Sequence, residues 1–232
     1  PFEGRYREIG YNALYAIRLA MQDSITQNIH LMAVDDGGSV DSALDRIRAL
    51  NLNSDVAMII VLGQFASHPT VQQANGKPLI IIGNWGHELA DEDTFIASNP
   101  DILDQAMSVQ TITDLTLDEP TLGNDLFMLS QVSDLYSDLS QLEVISSGTL
   151  PDAEFTARFI NSDLYVPDPN LLATLTYDIS QLVIEAIQTN TSIDNITYSG
   201  LNGDIQFVDG YWQDAPLHRY RYVDDELVSV TG

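Results

Sequence analysis

The sequence predicts an α/β fold built on a parallel sheet, and three observations carry that reading. Between residues 10 and 86, helical and strand patterns alternate three times. The strand patterns include continuous apolar runs, VAMIIVL at 56–62 and LIII at 79–82, of the kind found in strands buried on both faces. Each strand pattern ends in small, polar or Gly-rich residues: DDGG at 35–38, GQFAS at 63–67 and GNWG at 83–86. In parallel α/β sheets ligands sit beyond the carboxyl ends of the strands. These turns are therefore where a small molecule is expected.

Taken in order, residues 1–10 read as a loop with Gly4 and Gly10. Leu14, Ile17, Arg18 and Met21 recur at helical spacing and predict a helix over 11–22. Residues 29–34 read as a strand. Ser39 is placed to cap a helix over 40–50, whose inner face carries Ala43, Leu44, Ile47 and Leu50. The strand at 56–62 turns through 63–67 into a helix over 69–74, where Pro69 suits the first turn because its missing N–H costs nothing there. NGKP at 75–78 closes that helix before the strand at 79–82.

The middle of the chain is acidic and weakly periodic. A helix over 101–109, a strand over 109–115 and a helix over 126–139 are expected, followed by a strand over 142–146. Phe155 and Phe159 mark the inner face of a helix over 152–162, and 170–189 reads as the longest helix. The tail reads as β at 203–208, 218–223 and 227–230, with Tyr211, Trp212, Tyr220 and Tyr222 covering a sheet face.

Composition narrows the function. Thirty-four acidic residues against nine basic ones give a net charge of −25. Such a chain repels phosphate backbones and anionic lipid, which argues against nucleic-acid and membrane-surface partners. No apolar run approaches the roughly 20 residues of a membrane span, so direct insertion is not expected. The sequence opens on Pro1 without a leader pattern and is expected to be a processed form. The absence of cysteine removes disulfides, thiolate metal sites and thiol nucleophiles. Asp35, Asp36 and Asp41 around Gly37-Gly38 do not have the spacing of a calcium loop and read as a turn with a helix cap. No metal or cofactor is expected. His30, His68, His87 and His218 are scattered, and no nucleophile elbow, phosphate loop or zinc-protease motif occurs, so the chain does not read as an enzyme.

Four segments resemble type I periplasmic binding proteins, the group that includes branched-chain amino-acid receptors. PFEGRYREIGYNALYAIRLAMQD (1–23) is similar to that family's opening loop and first helix. IHLMAVDDGGSVDSALDRIRALNLNSDVAMIIVLGQFAS (29–67) resembles its second strand, Asp-rich turn, second helix and third strand. PDPNLLATLTYDISQLVIEAI (167–187) resembles its Tyr-Asp helix, and YSGLNGDIQFVDGYWQDAPLHRYRYVDDELV (198–228) its closing segment. The resemblance implies two Rossmann-like lobes with parallel sheets, joined by a hinge and closing on a small ligand. The chain departs from the family in two ways. It starts after the family's first strand, and the region between 87 and 167 is short, so the second lobe is expected to be reduced. A first lobe over 1–112 and a second over 113–232 are expected.

The same resemblance implies an extracytoplasmic solute-binding protein that delivers an amino acid or related small carboxylate to an ABC permease. The alternatives are a sensor domain of the same fold coupled to a signalling partner, and an interaction module without a ligand. The family places carboxylate-binding serines at the turn that here carries Ser67; a hydroxyl beside free helix-terminal N–H groups suits a carboxylate, and a plain N-cap has the same geometry. The next loop, Asn84, Trp85, Gly86 and His87, corresponds to a ligand-contacting loop, with Trp85 either on the ligand or packed in the core. Arg5 and Tyr6 stand in the opening loop that borders the cleft in the family, and Arg5 would meet a carboxylate as a bidentate fork or serve as a surface charge. Tyr177-Asp178 matches a family motif and reads as packing near the hinge.

Overall fold

In the computed structural model, residues 1–3, 7–24, 28–105, 121–123, 138–224 and 226–230 are described. The first helix, α1 (Arg7–Asp23), begins before the expected residue 11 and runs through Gly10. Glycine is required at that point because a Cβ would sit 1.9 Å from the Pro1 carbonyl oxygen, so the opening residues pack directly on the helix. After α1 the segment 29–36 carries no helix, turn or ladder pairing. This corrects the expected strand at 29–34: the residues are of strand type, but among the described residues no strand is paired with them.

Ser39 caps α2 (Val40–Leu52) as expected, its hydroxyl accepting from the Ser42 N–H at 3.2 Å. There follow β1 (Ile59–Val61), α3 (Pro69–Gln73), β2 (Leu79–Ile82), β3 (Thr94–Ala97), α4 (Ile102–Gln105), β4 (Thr121–Gly123) and β5 (Leu142–Ser146). Strand β3 lies in a stretch that reads as acidic and aperiodic, and its DTFIAS core was not singled out in the sequence. The strand expected at 109–115, most of the helix at 126–139 and the last residues of the helix at 101–109 lie outside the described residues. Asp152 caps α5 (Ala153–Ile160), and Asn170 caps α6 (Leu171–Thr189). Asn190 ends α6 in the left-handed region at φ 52°, a conformation Asn tolerates better than most residues.

A short 3₁₀ turn (Ile193–Asn195) leads into β6 (Tyr198–Gly200), β7 (Gly203–Ile205), β8 (Phe207–Val208), β9 (Tyr211–Trp212), β10 (His218–Val223) and β11 (Glu226–Ser229). The single strand expected at 203–208 is therefore two, broken at Gln206, whose carbonyl accepts the Gln213 N–H. Strands β6 and β7 form a separate hairpin.

The first sheet has the order β1-β2-β3-β9-β8, with β1, β2, β3 and β9 parallel and β8 antiparallel. The second has the order β11-β10-β5-β4; β4 and β5 are parallel, β10 and β11 antiparallel. The second sheet is thus mixed rather than all parallel. Strands β8 and β9 come late in the chain yet complete the first sheet. The aromatic residues of the tail accordingly separate: Tyr211 and Trp212 belong to the first sheet, Tyr220 and Tyr222 to the second.

Helix α6 is buried nearly all round, which accounts for its apolar sequence. One face, with Leu175, Ile179 and Leu182, joins the core formed by β1, β2, β3 and α2; another, with Ala173, Tyr177 and Ile184, packs on α1 and α5. Every residue of β2 is buried. At roughly 1.5–3 kcal/mol for each fully buried Leu or Ile, this strand is the main apolar anchor of the first sheet.

Candidate functional site

The carboxyl ends of β1, β2 and β3 lie side by side, and the loops that leave them are cross-linked. After β1, Gly63 turns at φ 88°, and after β2, Gly83 and Gly86 turn at φ 77° and 80°. These positions need glycine because side chains disfavour such angles. His87 from the second loop donates its Nε2–H to the Gln64 carbonyl of the first at 2.9 Å. The His87 ring also meets the His68 ring edge-on, with centroids 5.1 Å apart. Burial holds the His87 imidazole below its ordinary pKa, and the neighbouring His68 adds to that, while the Gln64 carbonyl works against it.

Gln72, fully buried on α3, completes the junction. Its amide nitrogen donates to the Ser67 and Glu88 carbonyls at 2.8 and 3.0 Å, and its oxygen accepts the Ala90 N–H at 2.8 Å. The sequence reading missed this residue. Its signal is a glutamine beside Val71 on the inner face of a short helix, where an apolar residue is the norm.

Each predicted contact residue has a definite place. Ser67 is fully buried, and its hydroxyl donates to the Gly63 carbonyl at 2.8 Å. The cap of α3 is His68 rather than Ser67: Nδ1 of His68 accepts the Thr70 N–H at 3.2 Å, and the His68 carbonyl accepts from Val71 and Gln72. Since Pro69 has no N–H, the first turn of α3 has its donors occupied. Asn84 is buried, with Oδ1 accepting the Gly86 N–H at 2.9 Å. Trp85 is 2% exposed, packs in the core and donates Nε1–H to the Ile82 carbonyl at 2.7 Å. Gly86 is exposed and His87 half-buried, so these two reach the surface of the junction. Arg5 and Tyr6 lie outside the described residues.

The two sheets meet at their strand ends. Asn99, just after β3, donates its N–H to the Ser147 hydroxyl oxygen at 2.9 Å and its Nδ2–H to the Ala215 carbonyl at 2.6 Å. Ser147 follows β5, and the Tyr220 hydroxyl of β10 donates to the Gly148 carbonyl at 2.7 Å. The loops at 63–68 and 83–88 therefore flank a seam between a first and a second sheet. Behind the seam Asp178 of α6 is fully buried; burial pushes its carboxyl above the usual range, and donors from Asn202 pull it back. Among the described residues no group of three or more His, Asp or Glu is placed to hold a metal ion. No helix among them is long and apolar enough to cross a membrane.

An open, mostly parallel sheet with a second sheet meeting it at the strand ends is the arrangement found in several solved structures. An extracellular ligand-binding receptor from Desulfohalobium retbaense superposes with a TM-score of 0.73 over 99% of this chain and 58% of that one, at 14% identity. The branched-chain amino acid transporter substrate-binding protein of Streptococcus pneumoniae, in complex with isoleucine, matches with a TM-score of 0.67 over 99% of this chain and 97% of its own, also at 14% identity. An ABC transporter substrate-binding protein from Desulfitobacterium hafniense, in complex with Leu, gives 0.67 over 94% and 95% at 13% identity. The chain has the type I periplasmic binding protein fold. No protein-family profile matches the sequence, and no curated protein matches it. The expected fold is thus observed, in a chain that spans about three-fifths of the Desulfohalobium receptor.

Proposed function

We propose that the protein is an extracytoplasmic small-molecule binding protein of the type I periplasmic-binding class, serving an ABC permease, with an amino acid or related small carboxylate as ligand. Its work is capture rather than chemistry. The observation that carries this reading is the junction of the two strand-end loops, in which Gln72 and His87 lock residues 63–68 to residues 83–88 beside the seam between the sheets. The names of the structural relatives, several of them solute-binding proteins with leucine, isoleucine or benzoate bound, support the same class.

Within the proposed contact set, the exposed backbone of Gly86 and the edge of His87 face the ligand. Ser67, Asn84 and Trp85 hold the loops that present them, through the bonds to Gly63, Gly86 and Ile82. Arg5 and Tyr6 complete the set on the strength of the sequence, with Arg5 supplying positive charge for the carboxylate. Lobes divided near residues 112 and 113, with β8 and β9 returning to the first, close around it.

A thermal-shift screen against the standard amino acids and small aliphatic and aromatic carboxylates tests the proposal. A ligand at 100 times its Kd stabilises by about 2.7 kcal/mol, which is a Tm rise of roughly 5–10 °C for a chain of this size. His87→Ala should weaken the ligand found at least tenfold. A screen in which no amino acid or carboxylate moves the Tm refutes the proposal.

A further inference from the structure

The rings of His68 and His87 meet edge to face at the surface of the junction, with centroids 5.1 Å apart. Both side chains are half-buried. Each ring has one nitrogen committed. His68 Nδ1 accepts the Thr70 N–H at 3.2 Å, which leaves the hydrogen of the neutral ring on Nε2. His87 holds the Gln64 carbonyl through its Nε2–H at 2.9 Å, which leaves Nδ1 as a bare lone pair. Among the described residues neither His68 Nε2 nor His87 Nδ1 has a hydrogen-bond partner. The neutral pair therefore offers one free donor and one free acceptor.

That state does not match a carboxylate, which only accepts. An oxygen set against His87 Nδ1 would meet a lone pair. One proton on His87 corrects this: Nδ1 becomes a donor, the bond from Nε2–H to Gln64 is kept, and the pair presents two N–H groups with a positive charge. In the empty protein the proton is disfavoured, because His87 is half-buried and lies beside His68. Residues 63–73 hold no acid or base other than His68, and residues 83–90 add only Glu88, which is exposed and has no ion pair among the described residues. Asp36 approaches the first loop at Gly63. Of these groups, His68 is the one whose charge acts on His87.

We propose, on the basis of the capture function, that His68 and His87 together form the carboxylate-recognition element of the junction, one oxygen to each ring, and that binding draws one proton from solvent onto His87 Nδ1. Arg5 carries a fixed charge and would give an affinity independent of pH. The histidine pair gives one that changes with pH. A bound carboxylate keeps His87 protonated to higher pH than in the empty protein, so the gain in affinity is complete below the empty-protein value and is lost as pH rises through the bound one. Acids are selected over their amides, which bring no charge to hold the proton.

The probes are sodium acetate and sodium benzoate at about 0.1 M, each against NaCl at equal ionic strength, with the His68 and His87 rings followed by NMR from about pH 5 to about pH 9. Either carboxylate should raise the His87 midpoint by at least about half a unit, and benzamide should not. The Kd for benzoate should rise at least about threefold from about pH 6 to about pH 8. His87→Gln keeps an N–H for the Gln64 carbonyl but cannot titrate, and should abolish that rise. His68→Asn keeps an oxygen to cap α3, and should bring the His87 midpoint of the empty protein toward its ordinary value. A His87 midpoint indifferent to both carboxylates, equal affinity at the two pH values, or a His87→Gln variant with the wild-type pH profile would overturn the proposal. If an acid found in the thermal-shift screen binds without proton uptake, capture stands and this role of the pair falls. If that screen finds nothing and acetate still moves His87, the pair is a carboxylate site and it is the capture function that falls.

Discussion

Replacing Asn202 by Ala should destabilise the protein in a way that depends on pH. Asn202 is 3% exposed and ties three elements together. Its backbone N–H and Nδ2 both donate to Asp178 Oδ2, at 2.8 and 2.7 Å, and its Oδ1 accepts the Thr149 N–H at 2.7 Å. Alanine keeps the backbone donor. It loses the side-chain bond to the carboxylate, worth about 1.5–3 kcal/mol, and leaves the Thr149 N–H without its acceptor, at about 1–3 kcal/mol. The expected loss at pH 7 is roughly 3–4 kcal/mol, or a Tm drop of about 10 °C.

The pH dependence follows from Asp178. Its native carboxyl lies above the usual value because burial outweighs the Asn202 donors. A raised acid contributes stability that is complete below the unfolded value and is lost as pH rises through the native one. Removing the Nδ2 donor raises the native value further, so the variant loses more at pH 7 than at pH 5. Urea melts at both pH values, read as the difference between variant and wild type, measure this directly. A loss below about 1 kcal/mol, or the same loss at both pH values, would refute the reasoning.

Three further expectations follow from other parts of the molecule. His87 has a native pKa below its unfolded value near 6.5, so its contribution is complete above that value and declines as pH falls from there to the native one; an NMR titration of its ring should give a midpoint below 6.5, and a normal or raised midpoint refutes the burial argument. Gly148→Ala places a Cβ 2.9 Å from Leu175 Cδ1 and 3.2 Å from the Leu171 carbonyl oxygen, and should cost about 1–3 kcal/mol in urea melts; a neutral change shows that α6 can give way there. With a net charge of −25, raising NaCl from about 0.01 to about 1 M, which shortens the Debye length from ~30 to ~3 Å, should raise the Tm, and a fall would show that surface ion pairs outweigh self-repulsion.

The elements that were legible in the sequence are those whose signal is local. Ser39 caps α2 because a serine before an apolar helical face has little else to bond, and 79–82 is a strand because four consecutive large apolar residues fit only a buried one. Strands β8 and β9 were not legible as parts of the first sheet, since their neighbour β3 is more than a hundred residues away in sequence. The same limit applies at the site. That residues 63–68 and 83–88 border one surface follows from their position after successive strands. That Ser67 spends its hydroxyl on Gly63, and that His68 takes over the cap, depends on how sharply the chain turns between Gly63 and Pro69. Gln72 was invisible because its three partners lie in two loops that sequence reading treats separately.

The segment 29–36 shows where composition and structure part. IHLMAV has the residues of a buried strand, and the expectation that it is one rests on side chains alone. A strand, however, is a relation between two backbones, and among the described residues no ladder joins 29–36 to β1, which lies across a cavity of about 840 Å³ from it and pairs with β2.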